Sequence, residues 1–218
     1  MQIYWKYLKP IQDKFCPNLV QDNTEWLIWL ESVSEKVKAV GGAKGFTLDF
    51  VSLYDNLDPK LVISALRFAI ADCNLFWSDS EIEWLISLVS LSIENGYGRY
   101  GNDWFKILHG IPTGSSISVA LANITVSYCL QMVFDELGGA PDDLVGYRSY
   151  VDDVGGCWIG SVDDFVEFSE KVNNLLFERY GLSIKGGNWE IMKGSQFSVF
   201  LDVKFRFDSI PKCYATTK

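Results

Sequence analysis

Apolar residues recur at helical spacing along the first forty residues of the chain. A helix is predicted to begin near Asn23, with apolar residues at helical spacing at Trp26, Leu27, Leu30, Val33 and Val37. A pair of glycines ends this helix, because glycine disfavours helical backbone. The pattern therefore predicts two helices over residues 1–40.

A strand is predicted from Phe46 to Leu53, where apolar residues surround one charged residue, Asp49. Helix starts follow at Asp58-Pro59, because proline is favoured in a first helical turn, and near Ser78, where the sequence resembles a capping box. The other predicted elements are helices at 58–71, 80–94, 117–137 and 162–180, hairpins at 97–108 and 145–159, and strands at 182–185 and 198–207.

The order of these elements is typical of an α+β fold, in which helices pack on one face of an antiparallel sheet. No linker-like stretch divides the chain, and no repeat or low-complexity tract occurs. We expect an N-terminal helical segment, residues 1–45, that leads into an α+β domain formed by residues 46–218.

The composition is that of a globular protein with a substantial core, because 48% of the residues are apolar and eight are Trp. The net charge of −9 argues against a free-standing nucleic-acid-binding surface, which is usually basic. Residues 117–134 form an apolar stretch as long as a membrane span. Its polar residues, among them Asn123 and Gln131, favour a buried helix, and we expect no membrane partner.

Cysteine usage favours a reducing, intracellular compartment. The five cysteines are odd in number and far apart, and no Cys-x-x-Cys pair occurs, which argues against zinc and against a disulfide framework. The first residues of the chain carry no signal-peptide pattern.

Two adjacent aspartates, Asp152 and Asp153, lie at the tip of a predicted hairpin, and Gly155-Gly156 follows almost at once. Neighbouring carboxylates repel each other, so one of them has a raised pKa unless a cation neutralises the pair. A divalent metal is the simplest neutraliser, and oxygen ligands suit Mg²⁺. The alternative is a solvated acidic turn, which we expect for Asp142-Asp143 and Asp163-Asp164.

Asp49 is a charged residue inside an apolar strand, and it is either an edge-strand charge or a partner of Asp152. In a βαββ-type sheet the strand of Asp49 lies beside the hairpin, which would bring the two carboxylates to one metal cluster. Carboxylates from neighbouring strands that hold two Mg²⁺ about 3.5–4 Å apart are what in-line phosphoryl or nucleotidyl transfer requires.

A loop punctuated by Gly and Pro, residues 109–116, leads into the predicted helix at 117. Ser115 and Ser116 are placed to cap that helix, and a tight glycine loop at a helix start can approach a phosphate or a base. The loop lacks the Lys of a P-loop, which disfavours a Walker-type NTPase. By itself the stretch also fits a plain loop before a core helix, and we assign no chemistry to His109.

The strand, the loop and the hairpin, in this order, resemble the palm of a reverse transcriptase. Residues 48–54, Leu-Asp-Phe-Val-Ser-Leu-Tyr, are similar to the first palm motif, with its metal-binding Asp and an aromatic five residues on. Residues 110–123 are similar to the motif Gly-Ile-Pro-x-Gly-Ser-Pro-x-Ser-x-x-x-Ala-Asn, with Ser116 where Pro is usual. Residues 150–153 resemble the Tyr-x-Asp-Asp box.

The flanking residues narrow the resemblance to Penelope-like retroelements, which are related to telomerase reverse transcriptase. Residues 52–57, Ser-Leu-Tyr-Asp-Asn-Leu, resemble that family's Ser-Leu-Tyr-Thr-Asn-Ile run, and residues 200–203 are similar to its Phe-Leu-Asp-Val sequence. Residues 7–11 and 22–27 look like the segment ahead of its palm. The resemblance covers nearly the whole chain.

The resemblance implies an RNA-directed DNA polymerase that extends a DNA primer with dNTPs on an RNA template. Asp49 and Asp152 would hold two Mg²⁺, for which Mn²⁺ can substitute, and the backbone carbonyl of Phe50 would add a metal ligand. Asp153 would be a supporting catalytic carboxylate.

The resemblance also implies nucleotide-binding roles. Tyr54 would lie under the incoming sugar and exclude a 2′-hydroxyl, unless it is a core aromatic. Thr113 and Gly114 would pack near the nascent base pair. Asn123 would support the nucleotide pocket or satisfy a buried backbone group. Lys185 and Lys193 are the candidates for protonating pyrophosphate.

Other features favour a reduced enzyme. Relative to the family, we expect the fingers motifs to be missing ahead of the chain and the thumb to be absent or truncated, so that a protein partner or a second copy would supply them. The chain is acidic where a template groove should be basic. The basic residues available to such a groove are Arg99, Lys106, Arg148, Lys185, Lys193, Lys204 and Arg206.

Two alternatives follow. In the first, the chain is a catalytically silent palm that acts as a binding or assembly module. In the second, it is the palm of an RNA-dependent RNA polymerase, an alternative that the aromatic residue at position 54 disfavours. A retroelement enzyme of the resembled type would act in the nucleus.

Overall fold

The structure, a computed structural model, describes residues 3–114, 116–185, 198–207 and 212–215. The helices are α1 (Lys9–Phe15), which a π-helical stretch (Tyr4–Leu8) precedes, α2 (Asn23–Ala39), α3 (Leu53–Asn56), α4 (Pro59–Asp72), α5 (Asp79–Glu94), α6 (Ser116–Glu136) and α7 (Val162–Tyr180). The strands are β1 (Lys44–Asp49), β2 (Tyr97–Tyr100), β3 (Asp103–Lys106), β4 (Leu144–Tyr150), β5 (Asp153–Trp158), β6 (Ser198–Phe200), β7 (Val203–Arg206) and β8 (Lys212–Ala215). This mixture of helices and antiparallel sheet confirms the predicted α+β class.

The chain forms two compact units. The first consists of Met1–Pro17, Ser52–Val133 and Leu176–Leu182, and the second of Asn18–Val51, Phe134–Leu175 and Ser183–Lys218. The predicted division at residue 45 stays a prediction.

In the first unit, local capping fixes where the helices start. The Asp58 side chain accepts hydrogen bonds from the N–H groups of Lys60 and Leu61 and so caps α4. Ser78 and Glu81 form the predicted capping box at the start of α5. These contacts satisfy backbone donors that a helix start otherwise leaves unpaired. Both predicted helix starts are confirmed.

Helix α6 is the predicted apolar helix. Among the described residues, it is a helix long enough and apolar enough to cross a membrane. Most of it, however, is buried inside the structure. Every residue from Ala120 to Val126 is buried, so the helix is covered on all sides over two turns. This burial confirms the predicted buried helix.

The second unit contains two antiparallel sheets, with strand orders β1-β5-β4 and β6-β7-β8. Alternation along the strands gives the first sheet two different faces. On one face Phe46 and Trp158 contact Phe165 of α7. The other face adjoins an aromatic cluster in which Trp26 of α2 contacts Phe200 and Phe205.

Close packing of aromatic rings explains the glycine pair at 155 and 156. A Cβ on Gly155 would lie 2.8 Å from the Phe200 ring, and a Cβ on Gly156 would lie 2.2 Å from the Phe46 ring. The predicted tip at Asp152 and Asp153 is corrected by one residue, because Asp153 and both glycines lie inside β5. The turn itself is made by Val151 and Asp152.

Three other predicted strand boundaries are also corrected. The strand predicted to reach Leu53 ends at Asp49, because the chain turns through a left-handed Ser52 and enters α3. The strand predicted at 182–185 is reduced to an isolated bridge between Phe50 and Ile184. The strand predicted at 198–207 is a hairpin, because Leu201 and Asp202 both adopt left-handed backbone and reverse the chain.

Candidate functional site

Strand pairing in the second unit places Asp49 directly opposite Asp153. The two residues are register partners at the end of the β1–β5 ladder. Directly paired residues point to the same face of a sheet, with Cβ atoms about 4.5–5.5 Å apart. The register therefore brings together two of the carboxylates that sequence motifs single out.

A backbone hydrogen bond connects Asp152 to the end of β1. The Asp152 carbonyl accepts a hydrogen bond of 3.1 Å from the N–H of Phe50, the residue after Asp49. Phe50 is itself buried, which anchors the end of β1. The preceding turn residue, Val151, has φ of +56°, a left-handed conformation that a β-branched residue rarely adopts. The hairpin tip is thus held in a strained backbone conformation.

The segment after α7 adds a cation. Val51 N–H donates to the Ser183 carbonyl over 2.8 Å, and Lys185 N–H donates to the Asp49 carbonyl over 3.1 Å. The Lys185 ammonium then lies 2.8 Å from an Asp49 carboxylate oxygen. Lys185 was a candidate from the sequence, whereas Lys193, the other candidate, lies outside the described residues.

Asn173 is a residue that the sequence motifs missed. Its side-chain oxygen accepts a hydrogen bond of 2.8 Å from the N–H of Ile184, which fixes the segment that carries Lys185. Asn173 lies in α7, where a polar residue is ordinary, so no local signal marks it.

The charges of this cluster are coupled. The pKa of Asp153 is raised to about 6, first by its partial removal from water and then by the negative charges of Asp152 and Asp49, while Lys185 acts in the opposite direction. The hydrogen bond to Asp49 raises the pKa of Lys185, and the charges of the carboxylates add to this. The predicted repulsion between neighbouring carboxylates is therefore present in the folded chain.

The donor atoms of this cluster suit a hard cation. Carboxylate and carbonyl oxygens from Asp49, Asp152 and Phe50 are the ligand types that Mg²⁺ prefers. In the described part of the chain, no three His, Cys, Asp or Glu side chains are grouped closely enough for a ready-made metal site. Asp49, Asp152 and the Phe50 carbonyl offer the donor types that a hard cation takes, and their role as metal ligands stays a prediction.

The Gly-Ile-Pro loop contacts Tyr54 within the first unit. Ile111 N–H donates to the Tyr54 carbonyl over 2.9 Å. Gly110 has φ of +74°, and a Cβ there would lie 2.2 Å from the same carbonyl oxygen. Only glycine fits this position, so the loop lies directly on the backbone of α3.

Two other predicted nucleotide-binding residues, Thr113 and Gly114, are exposed at the turn that follows. Gly114 has φ of +84°, and the space around it is open. Ser115, a predicted helix cap, lies outside the described residues.

Asn123 is buried in α6. Its amide nitrogen donates to the Gln12 side-chain oxygen over 3.4 Å, and its backbone carbonyl accepts from the Cys16 thiol over 3.6 Å. These partners are interior groups of the first unit. Because the Asn123 side chain contacts another side chain here, both predicted roles, support of the nucleotide pocket and satisfaction of a buried backbone group, stay predictions.

No family model matches the chain, and no curated protein matches it in sequence. Solved structures do match. Telomerase from Candida tropicalis, truncated from its C-terminal domain, has a TM-score of 0.72 at 17% identity, over 99% of this chain and 47% of that chain. Telomerase from Candida albicans, in complex with a TWJ fragment of telomeric RNA, has a TM-score of 0.72 at 11% identity, over 93% and 37% of the two chains.

The RNA-dependent RNA polymerase of a human picobirnavirus is also similar, with a TM-score of 0.61 at 17% identity, over 94% of this chain and 36% of that chain. The chain thus spans about half or less of the length of the proteins it matches. These likenesses show that the chain has the fold of a polymerase palm. The narrower resemblance to Penelope-like enzymes stays a prediction.

Proposed function

We propose that this chain is the palm of an RNA-directed DNA polymerase of the Penelope-like type, which transfers nucleotides from dNTPs to a primer 3′-hydroxyl. The observation that carries the proposal is the cluster of Asp49, Asp152 and Asp153 at the end of the β1–β5 pair of a polymerase palm fold. A repulsive carboxylate cluster at this place suits the two-metal chemistry of nucleotidyl transfer.

In this proposal Asp49, Asp152 and the Phe50 carbonyl hold two Mg²⁺ or Mn²⁺. When bound, such ions lower the pKa of the attacking hydroxyl and stabilise the leaving oxygen. Asp153 supports the cluster by adding negative charge beside Asp49. In this proposal Lys185, whose ammonium contacts Asp49, would supply the proton that the leaving pyrophosphate takes up.

Tyr54 would act in sugar selection. The hydrogen bond from the Ile111 N–H and the close approach of Gly110 fix the Tyr54 backbone. The position from which the side chain extends is therefore fixed as well. In the proposal the Tyr54 ring excludes a 2′-hydroxyl, with Thr113 and Gly114 near the nascent base pair. Elements that hold the triphosphate and the duplex would come from a longer protein, a second copy or a partner.

One observation favours a second candidate, a catalytically silent palm used for binding or assembly. Lys185 already neutralises Asp49 in the folded chain, so part of the carboxylate charge has a partner without any metal. A silent palm would bind nucleic acid or protein without turnover.

The test is primer extension on an RNA template with Mg²⁺ or Mn²⁺, comparing the wild type with Asp152→Asn. Asp142→Asn is the matched control, because it removes the same charge from a side chain exposed elsewhere on the surface. Extension that is lost in Asp152→Asn and kept in Asp142→Asn supports the proposal. Wild-type extension that survives Asp152→Asn refutes it.

The choice of nucleotide separates the polymerase classes. The proposal expects dNTPs to be used in preference to NTPs, and Tyr54→Ala to admit NTPs. Equal use of both by the wild type would instead favour an RNA-dependent RNA polymerase. Absence of extension from the wild type, together with retained RNA binding, would favour the silent palm.

A further inference from the structure

The hairpin formed by β2 and β3 has two chemically different faces. Its register pairs Tyr97 with Lys106 and Arg99 with Trp104. Because alternate cross-strand pairs point to opposite sides, these four residues share one face. We call this set of Tyr97, Arg99, Trp104 and Lys106 the aromatic–basic face.

The opposite face of the hairpin carries the other two pairs. Gly98 is paired with Phe105, and Tyr100 with Asp103. A Cβ on Gly98 would lie 2.2 Å from the Phe105 ring, so this ring packs directly against the glycine. The acidic residue of the two strands is therefore on this side, and the aromatic–basic face carries two positive charges and no negative one.

The aromatic–basic face is open to solvent. Trp104 is 69% exposed and Tyr97 is 57% exposed, and both cations are exposed as well. Exposed aromatic clusters of this kind mark interaction surfaces more often than isolated exposed residues do. The face is thus available to a partner molecule.

The side chains on this face are already arranged for stacking. The Arg99 guanidinium lies over the Trp104 ring, 5.7 Å from its centre. Its Nε donates to the Gly101 carbonyl at the turn over 2.9 Å, which limits its rotation. A stacked Arg–Trp pair offers a planar surface that also carries charge.

The charge of the face decides what kind of partner it suits. Protein interfaces deplete charged residues at their centres, whereas here every aromatic has a cation directly opposite. Rings that stack on bases, interleaved with cations that pair with phosphates, are the elements of single-stranded nucleic-acid binding. In a chain of net charge −9, a small positive face favours a polyanion at that place.

The spacing of the rings agrees with a single strand. Tyr97 and Trp104 are diagonal neighbours on the face, a relationship that sets side chains about 7–8 Å apart. This is roughly twice the 3.4 Å rise per base of a stacked strand, so it suits splayed bases rather than a duplex. We propose that the aromatic–basic face binds single-stranded nucleic acid by stacking bases on Tyr97 and Trp104.

The test measures binding of the full chain to a labelled single strand of about 12 nucleotides by fluorescence anisotropy. RNA and DNA strands are separate arms, and a duplex of the same sequence is a competitor. The buffer contains EDTA and no nucleotides, so failure of the polymerase proposal leaves the outcome unaffected.

Tyr97→Ala and Tyr100→Ala form a matched pair, because they remove the same ring from opposite faces of one hairpin. Tyr97→Ala and Trp104→Ala are each expected to weaken binding about tenfold, whereas Tyr100→Ala leaves it unchanged. Trp104→Phe is expected to restore most of the affinity lost in Trp104→Ala. Arg99→Gln should lower the slope of log affinity against log salt by about 0.7.

Thermal unfolding of each variant checks that the fold is intact. Equal binding by Tyr97→Ala and Tyr100→Ala overturns the proposal, as does a wild type that binds neither strand at low salt. A duplex that displaces the single strand at equal concentration also overturns it. A dimer that Trp104→Ala disrupts, with unchanged strand affinity, would assign the face to a second copy instead.

Discussion

Lys185 contacts Asp49 twice, through an ion pair of 2.8 Å from its ammonium and through a hydrogen bond of 3.1 Å from its backbone N–H. The backbone contact fixes where the side chain starts, so the ammonium is held beside the carboxylate. Lys185 is half exposed, which keeps it accessible to a ligand. The residue therefore balances part of the charge of the carboxylate cluster while its ammonium stays open to solvent.

We expect Lys185→Gln to reduce primer extension far more than stability. An ion pair of a solvent-exposed lysine contributes little to the free energy of unfolding, because water screens the two charges. A positioned proton donor contributes about 10²–10⁴-fold to a rate. Steady-state extension rates and chemical denaturation of the same preparation measure the two effects.

Lys171→Gln is the matched control for this prediction. Lys171 forms an exposed ion pair of 2.6 Å with Glu167 on α7, so the same substitution removes a charge without touching the carboxylate cluster. Equal loss of extension in the two variants would show that Lys185 acts only through the net charge of the chain.

The raised pKa of Asp153 predicts a pH dependence of stability in metal-free buffer. The folded pKa is about 6 and the ordinary value is 3.8, so between these values the folded chain binds more protons than the unfolded chain. Stability contributed by this group is therefore present below about pH 4 and lost as pH rises through 6. Above that pH the ionised carboxylate adds to the repulsion.

Asp153→Asn should remove this repulsion. We expect the variant to be more stable than the wild type at pH 7.5 by about 1 kcal/mol, allowing for the solvent exposure of Asp153. The difference should vanish near pH 4, where the wild-type carboxyl is protonated. Denaturant titrations at the two pH values measure it, and a constant difference across this range would contradict the assigned cause.

Gly110 should tolerate no side chain. A Cβ there would meet the Tyr54 carbonyl oxygen at 2.2 Å and the Asp55 backbone at 2.7 Å, in addition to the strain of its positive φ. Gly101→Ala is the control, since Gly101 also has positive φ but open space around it. We expect about 1–2 kcal/mol of destabilisation from strain in Gly101→Ala. Overpacking should destabilise Gly110→Ala by about 1–3 kcal/mol more.

Urea denaturation of the two glycine variants measures this difference. Similar midpoints for both would mean that the loop yields to the added methyl group and does not lie rigidly on α3. A midpoint for Gly110→Ala that lies below the midpoint for Gly101→Ala would confirm the contact with Tyr54.

Features that depend on neighbouring residues were predictable from the sequence. Asp58 and Ser78 cap their helices through residues two or three positions away, so the local pattern contains the whole interaction. The α+β class and the joining of Asp49 to the Asp152 hairpin also followed, because strand order and motif spacing constrain the topology. Such signals need no knowledge of distant packing.

Features that depend on distant packing were not predictable. Phe200 covers Gly155 from 45 positions along the chain, so no residue near the glycine pair in the sequence indicated a site of close aromatic contact. Asn173 fixes the Lys185 segment by one hydrogen bond to a backbone N–H, which no motif encodes. The tip residue Val151 gave no sign of left-handed backbone, since valine disfavours it.

The strain at Val151 leads to a prediction about stability and activity together. A β-branched residue with φ of +56° stores about 1–3 kcal/mol, whereas glycine adopts this conformation freely. Val151→Gly should therefore stabilise the chain by up to about 1 kcal/mol, after its entropic cost in the unfolded state. Because the strained tip fixes Asp152, the same variant should extend a primer more slowly.

Val199→Gly supplies the matched comparison. Val199 lies in β6, half exposed and without positive φ, so glycine there should destabilise by about 0.5–1 kcal/mol. Denaturation and primer extension of both variants give four values. Opposite changes in stability, with slower extension confined to Val151→Gly, would show that the strain positions the Asp152 carboxylate. Destabilisation by both substitutions would show that Val151 contributes packing rather than strain.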